Sequence, residues 1–250
     1  MSVFPEEFDT LLSPRSRTVL EEPARLQAAL RANRFVWLKN VLDARVLQRA
    51  IGSLDRELFQ SLRVMSGPIA DDSILRMKEN YSELLNKTMH FRTAFLKSTR
   101  SRSFAAASQL GLIHMMRSPS MAKFAETVTG LPLRRPCDVQ VICYGDGDYA
   151  GPHNDHHPED AGFRNGYVDI HLTLSHPRVA HQYLVYERRG HLSQIVNIAE
   201  SGGIAVYQLP FWHYTTPLVA QRGWEHAAHR WLLLATFEIA QRAPRRFRRR

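Results

Sequence analysis

The sequence has few cysteines and lacks a long hydrophobic run. Only Cys137 and Cys143 occur among 250 residues, and two thiols cannot form the several disulfides that hold small secreted domains together. The longest purely apolar stretches, such as residues 231–235, are far shorter than the roughly 20 residues of a membrane-spanning helix. The first residues include acids and prolines, where a signal peptide needs a basic start and an apolar run. We therefore expect a soluble, cytoplasmic protein that has no membrane partner.

Acidic residues are also in short supply. The chain has 24 Asp and Glu against 33 Lys and Arg, which gives a formal charge of +9. Six of these positive charges are the arginines of residues 242–250, a segment without an acid, so that the rest of the chain carries only +3. Blocks of like charge repel themselves and stay disordered. We predict an Arg-rich disordered tail over 242–250 and expect nucleic-acid association, if any, to be weak and confined to it.

The first 136 residues have a mainly helical pattern. Apolar residues recur at spacings of three and four over residues 43–62, and we predict further helices over 73–97 and 104–129, with one short strand at 35–38. Within the third zone, Ser118 and Pro119 favour the start of a new helix, and Gly130 is expected to end it. An apolar fraction of 44% with 23% charged residues is ordinary for a globular domain.

The pattern changes at Asp138, where short alternating segments follow one another between Gly, Pro, Asp and Asn clusters. We predict strands over 139–144, 167–175, 183–186, 195–198, 203–209, 213–219 and 230–239. Seven short strands with turn signals between them suggest a β-sandwich or jelly roll. We therefore predict a single α+β domain over residues 1–241, in which 1–136 give mainly helical support outside a β core formed by 137–241.

Three residues of the β half form a candidate metal site. His153 and Asp155 lie two apart, so that on a strand both side chains point to one face, and His213 follows later in the chain. Two histidines and one carboxylate leave coordination positions open, as in non-heme Fe(II) oxygenases and unlike closed structural zinc sites. The alternative is a surface loop in which Asp155 caps a turn; the neighbouring His156 and His157 are interpreted as pocket-rim residues.

The last predicted strand carries a basic residue toward the interior. Arg230 shares a strand face with Leu232, Leu234 and Thr236, and a buried guanidinium needs a partner. Its fork-shaped donor set matches a carboxylate, which a dicarboxylate cosubstrate would supply. The alternative is an ordinary ion pair with a glutamate of the same region, Glu225 or Glu238.

Taken in order, these elements over about residues 105–240 resemble the 2-oxoglutarate/Fe(II)-dependent oxygenase superfamily, in the style of its prolyl-hydroxylase-like branch. The resemblance implies a double-stranded β-helix core, with His153, Asp155 and His213 binding iron and Arg230 holding the distal carboxylate of 2-oxoglutarate. It also implies that Tyr144 faces the cosubstrate pocket and that Thr173 assists at the distal carboxylate. Many members of that branch carry a Gly-Gly pair where this chain has residues 180–183, Ala-His-Gln-Tyr.

The activity that the resemblance implies is hydroxylation of an unactivated C–H bond, with Fe(II) as cofactor and with 2-oxoglutarate and O2 as cosubstrates. The substrate is a small molecule, an amino acid, or a peptide-bound or carrier-bound group; an Asp at position 155 favours hydroxylation over halogenation, and desaturation or ring formation stays open. We interpret four further residues as substrate-pocket residues: Tyr149, His157, His171 and Trp212.

Loops beside a rigid scaffold usually carry specificity, so we expect residues 63–103 and 156–167 to form the pocket wall and lid. Their polar and basic residues hint at an anionic or polar ligand: Arg63, Lys78, Asn80, Tyr81, Lys87, Arg92 and Lys97. Two other functions stay open. One is an inert β-fold binding module that contacts nucleic acid through the Arg-rich tail, and the other is a cupin-like metal enzyme that does not use 2-oxoglutarate.

Overall fold

A curled antiparallel sheet forms the centre of the protein, whose computed structural model describes residues 2–69, 88–155 and 166–240. The strands are β1 (Phe35–Leu38), β2 (Arg63–Pro68), β3 (Thr88–Phe95), β4 (Asp138–Tyr144), β5 (Tyr149–His153), β6 (Tyr167–Ser175), β7 (Val179–His181), β8 (Tyr183–Arg188), β9 (His191–Asn197), β10 (Ile204–Leu209), β11 (His213–Thr215), β12 (Val219–Ala220) and β13 (Arg230–Glu238). The predicted tail over 242–250 and residue His157 lie outside the described residues.

The strand order is that of a double-stranded β-helix. Hydrogen-bonded neighbours follow the order β1-β10-β6-β13-β4-β3-β5-β11-β8-β9, β2 pairs with β3, and β7 and β12 form a separate two-stranded sheet. The strands β10, β6, β13 and β4 make one wall, while β5, β11, β8 and β9 make the wall that faces it. The predicted jelly-roll core with helices packed against the sheet is therefore confirmed.

The first wall is buried on both faces, which explains its nearly continuous apolar sequence. On β13, Trp231, Leu233 and Phe237 belong to the core shared with the helices, whereas Leu232 and Leu234 belong to a cluster on the concave side. Side chains alternate along a strand, so Arg230 lies on the same face of β13 as Leu232 and Leu234. It therefore points toward the concave side, as predicted.

The helices pack on the convex face of this wall. They are α1 (Pro14–Leu20), α2 (Pro23–Asn33), α3 (Ala44–Ser53), α4 (Arg102–Gln109), α5 (Leu112–Met116) and α6 (Pro119–Thr129), with a π-helical turn at Leu54–Leu58 and 3-10 turns at Phe8–Leu11 and Phe59–Ser61. None of the helices in the described ranges has the length and apolar character needed to cross a membrane.

The predicted stop and start signals around α6 are confirmed. The Ser118 hydroxyl caps the helix by accepting a hydrogen bond from the backbone N–H of Met121, and Pro119 takes the first helical position. Gly130 ends the helix in the left-handed conformation at φ 68°. A Cβ at this glycine would lie 2.7 Å from the Gln27 side chain, so close packing also requires glycine here.

The helix predicted over 73–97 is wrong for the part that the structure describes, because residues 88–95 form β3. Residues 70–87 lie outside the described ranges. β3 pairs with β4, β5 and β2, so it joins the two walls and belongs to the β core. The division into helical support before residue 137 and a β core after it therefore needs correction, since pairing with distant strands outweighs local helical pattern here.

Candidate metal and cosubstrate site

The two histidines predicted as metal ligands lie opposite each other on adjacent strands. His153, at the end of β5, and His213, at the start of β11, are register partners. Their ring centroids are 4.4 Å apart. Antiparallel pairing of β5 with β11 thus brings together two imidazoles that are far apart in the chain.

Backbone carbonyls fix the orientation of both rings. Nδ1 of His153 donates to the Gly151 carbonyl at 2.6 Å, and Nδ1 of His213 donates to the Phe211 carbonyl at 3.0 Å. Because a carbonyl can only accept, the proton of each neutral ring resides on Nδ1 and the Nε2 lone pair is available to a metal. The ring of Phe211 also stacks on His213 at 4.9 Å.

Asp155 completes the group from just beyond the end of β5. Its Oδ1 lies 3.4 Å from Nε2 of His153, and its Oδ2 lies 3.5 Å from Nε2 of His213. The backbone at Asp155 is left-handed, with φ 51°. Asp155 does lie beside the two imidazoles, as predicted, but not because it shares a strand face with His153. β5 ends at His153, and the left-handed backbone at Asp155 places the carboxylate there.

The charge state of the group suits a cation. The pKa of His213 is lowered to about 3, mainly by burial and to a smaller extent by the neighbouring His153. Its imidazole therefore stays neutral near pH 7. One ligand atom from each of the three residues lies within 4.8 Å of the others. This set of two nitrogens and one carboxylate can hold a divalent metal and leaves further coordination positions open.

Arg230 is buried near this group, at the end of β13. Its Nη1 donates to Oε1 of Gln182 at 2.8 Å, its Nε to the Ile198 carbonyl at 3.0 Å, and its Nη2 to Oγ1 of Thr173 at 3.5 Å. All three acceptors are neutral, and no carboxylate in the described ranges forms a salt bridge with the guanidinium.

The alternative ion pairs for Arg230 do not form. Glu238 pairs with Arg134 at 3.0 Å, and Glu225 is exposed and accepts from the backbone N–H of Gly223. The buried guanidinium therefore lacks the anionic partner that its desolvation requires, at least among the described residues.

Tyr144 covers the guanidinium. Its ring centroid lies 5.6 Å from the Arg230 guanidinium carbon, a cation–π distance. Burial raises the pKa of Tyr144 to about 12, although the nearby guanidinium opposes this, so the phenol stays protonated. Burial also lowers the pKa of Arg230 to about 10, which leaves it charged at neutral pH.

One cavity of about 340 Å³ contains both the metal-ligand group and Arg230. Tyr144, Leu232 and Leu234 line it from the first wall, and apolar residues of the β2–β3 region close its other side: Met65, Ile69, Met89, Phe91 and Phe95. The expectation that the 63–103 region forms part of the pocket wall is borne out for these positions.

The structure separates the other predicted pocket residues into two groups. His171 lines the cavity, and Thr173 is buried beside Arg230. Tyr149 and Trp212 are absent from the described lining of the cavity, which is a correction. Tyr149 precedes the cavity-lining Ala150 on β5, and its hydroxyl hydrogen-bonds Thr88 at 2.6 Å. Trp212 lies just before β11 and is buried.

The polar residues near the cavity that were not predicted include Gln182 and Asp169. Gln182 is fully buried and anchors the Arg230 guanidinium, while Asp169 lines the cavity beside His171. Alternation along β6 was a usable signal for Asp169, because it shares a face with His171 and Thr173. For Gln182, the sequence offered one signal of a special role: residues 180–183 replace the Gly-Gly pair that many members of the prolyl-hydroxylase-like branch carry.

No family model matches the chain, and no curated protein matches it in sequence. Solved structures match it in fold. The non-heme alpha-ketoglutarate-dependent epimerase SnoN from nogalamycin biosynthesis has a TM-score of 0.53 at 16% identity, covering 90% of this chain and 84% of the other.

Two further structures are similar to the same extent. A Pseudomonas putida prolyl-4-hydroxylase gives a TM-score of 0.52 at 14% identity, covering 88% of this chain and 100% of the other. The carbocyclase SnoK gives 0.54 at 9% identity, with 86% and 83% covered. The fold predicted from the resemblance is therefore confirmed: the chain has the double-stranded β-helix of the 2-oxoglutarate/Fe(II)-dependent oxygenases.

Proposed function

We propose that the protein is an Fe(II)- and 2-oxoglutarate-dependent oxygenase that hydroxylates a C–H bond of a small-molecule or peptide substrate, with O2 as cosubstrate. The observation that carries the proposal is one cavity that contains both a two-histidine, one-carboxylate group and a buried guanidinium without an anionic partner in the described chain. An inert binding module has no need for either feature.

In this proposal, His153, His213 and Asp155 hold the metal. The Nδ1 hydrogen bonds to Gly151 and Phe211 keep both imidazoles in the ligating tautomer. When bound, Fe(II) with 2-oxoglutarate and O2 supplies the oxidation of the C–H bond, with release of succinate and CO2. The protein contributes the ligands, the orientation of the reactants and a largely apolar cavity lining.

Arg230 holds the distal carboxylate of 2-oxoglutarate. Gln182, Thr173 and the Ile198 carbonyl fix the guanidinium in one orientation by accepting its hydrogen bonds, so little conformational entropy is lost when a carboxylate binds. Leu232 continues the same strand face and contributes an apolar side chain to the cavity lining.

The substrate class is proposed from the residues that line the cavity and from the molecules bound by proteins of similar fold. SnoN has been crystallised with Fe3+, alpha ketoglutarate and nogalamycin RO, and a Trichoplax adhaerens prolyl hydroxylase with a peptide fragment. Proteins of similar fold thus bind a small molecule in one case and a peptide in the other. The apolar residues of β2 and β3 line the same cavity as the metal-ligand group and can contact the apolar part of a substrate.

The direct test is formation of succinate from 2-oxoglutarate by purified protein with Fe(II) and O2, together with measurement of bound metal. Wild-type protein should turn over 2-oxoglutarate, at least slowly without substrate, and His213→Ala should lose both turnover and stoichiometric metal. His114→Ala, an exposed histidine on α5, is the matched control and should retain both.

Three outcomes would contradict the proposal in different ways. Absence of metal binding removes the enzyme class altogether. Metal binding that is intact in His213→Ala removes the assigned ligand set. Metal binding without any 2-oxoglutarate binding leaves the cupin-like alternative.

A further inference from the structure

A second charged group faces the cavity away from Arg230. Asp169 lies on β6, is only 7% exposed, and lines the cavity. Register places it opposite Tyr207 of β10 and Thr236 of β13, whereas Thr173, which contacts Arg230, lies four residues further along the same strand face. The two charges therefore lie toward opposite ends of the pocket.

The Asp169 carboxylate is incompletely satisfied. Its Oδ2 lies 3.4 Å from Nε2 of His171, a long contact, and its Oδ1 is buried and has no hydrogen-bond partner among the described residues. A buried carboxylate normally accepts several hydrogen bonds or pairs with a cation. The ring of Tyr207 packs on His171 at 4.4 Å and so holds the pair in place.

Apart from Arg230, the other charged residues of the described cavity lining have opposite or ligating partners. Lys97 pairs with Asp138 at 2.7 Å, and Asp155 lies between the two metal-ligand histidines. Among the described residues of the predicted wall, Lys97 is the basic residue that lines the cavity, and its charge is paired with Asp138, so the described wall gives no support to an anionic ligand. At this end, the Asp169 carboxylate has no lysine or arginine partner among the described residues.

We propose that Asp169, with His171, is the substrate-recognition site and that the substrate carries a protonated amine or guanidinium group. The cation would donate to the carboxylate while the apolar part of the substrate contacts the Met and Phe side chains of β2 and β3. The assignment of this ligand as the substrate rests on the proposed function, whereas the cation site itself does not.

A pair of probes of equal shape tests the site. 4-Phenylbutylamine is protonated near pH 7 and 4-phenylbutan-1-ol is its neutral counterpart; both carry an apolar body suited to the Met and Phe wall. Calorimetric titration should show the amine binding about 10- to 100-fold more tightly than the alcohol, the range expected of a charge-assisted hydrogen bond. Titrations with and without Mn(II) and 2-oxoglutarate use the full chain.

Asp169→Asn should remove this preference, while Asp138→Asn should preserve it. The control is matched, because Asp138 lines the same cavity on a nearby strand but its carboxylate is occupied by Lys97. In wild-type protein, the backbone amides of residues 169–171 should shift in NMR spectra with the amine and not with the alcohol, which provides a readout that does not depend on a variant.

Equal binding of the two probes to wild-type protein overturns the proposal, as does an undiminished preference in folded Asp169→Asn. An amine preference in protein that fails to bind 2-oxoglutarate supports the cation site and refutes the oxygenase assignment. The two failures are therefore distinguishable.

Discussion

Replacement of Arg230 by methionine separates the cosubstrate proposal from a purely structural role of the guanidinium. Methionine roughly conserves the length and apolar stem of arginine but removes the charge and the donors. We expect the variant to lose most of its affinity for 2-oxoglutarate and little of its affinity for pyruvate, which has the 2-oxo acid group and lacks the distal carboxylate.

The expected loss follows from the burial of the pair. Removing one partner of a buried ion pair costs about 3–5 kcal/mol, and each 1.36 kcal/mol is a factor of ten, so the dissociation constant should rise by a factor between about 100 and several thousand. Arg230→Lys should fall between wild type and methionine, because it keeps the charge and loses the planar fork. The acceptors on Gln182 and Ile198 would lose their donors, so thermal unfolding must show that each variant is folded.

Isothermal titration of Mn(II)-loaded protein with 2-oxoglutarate and with pyruvate measures both affinities without turnover. Arg178→Met is the control, since Arg178 is exposed and contacts Gln221 and Trp224 outside the cavity. A folded Arg230→Met variant that still prefers 2-oxoglutarate over pyruvate as strongly as wild type would refute the assignment.

Three substitutions test the packing around the site. Gln182→Leu should reduce thermal stability, because an Arg230 N–H donor and two backbone carbonyls lose their hydrogen-bond partner, and each buried unsatisfied group costs about 1–3 kcal/mol. Calorimetry should also show weaker 2-oxoglutarate binding by this variant. An unchanged melting temperature would contradict the expectation. Gly203→Ala should cost about 1–3 kcal/mol in urea unfolding, since its Cβ would lie 2.2 Å from the Trp37 ring, and Trp37→Leu should restore part of the loss. Ser118→Ala should lower the free energy of unfolding by about 1–2 kcal/mol through loss of the α6 cap, and a loss below 0.3 kcal/mol, far under the usual cap contribution of about 1 kcal/mol, would argue against it.

Much of the β core could be predicted from sequence because its strands carry local signals. The strand predicted over 167–175 coincides with β6, and β13 begins at the predicted Arg230. β3 was missed because it becomes a strand through pairing with β4, β5 and β2, and the β4 and β5 partners lie about 50 residues or more away along the chain. Such a pairing leaves little trace in a local window.

The candidate site was predictable to a similar degree and for a related reason. His153, Asp155, His213 and Arg230 are chemically distinctive residues whose order along the chain can be recognised. Gln182 contributes an ordinary buried amide, and its importance arises only when the chain between β7 and β8 comes within 2.8 Å of the guanidinium. Tyr149 and Trp212 are chain neighbours of the cavity-lining residues Ala150 and His213, but neither belongs to the described lining.

The left-handed backbone at Asp155 bears on how this site can evolve. A left-handed conformation costs most L-residues about 1–2 kcal/mol, and glycine, asparagine and aspartate tolerate it best. The carboxylate at this position can therefore be lost to glycine by a single mutation that relaxes the backbone instead of straining it. His153 and His213, by contrast, are held by carbonyl hydrogen bonds and strand pairing. Among the three ligand positions, replacement of Asp155 should therefore cost the least folding stability. An open coordination position can arise there in a chain that still folds.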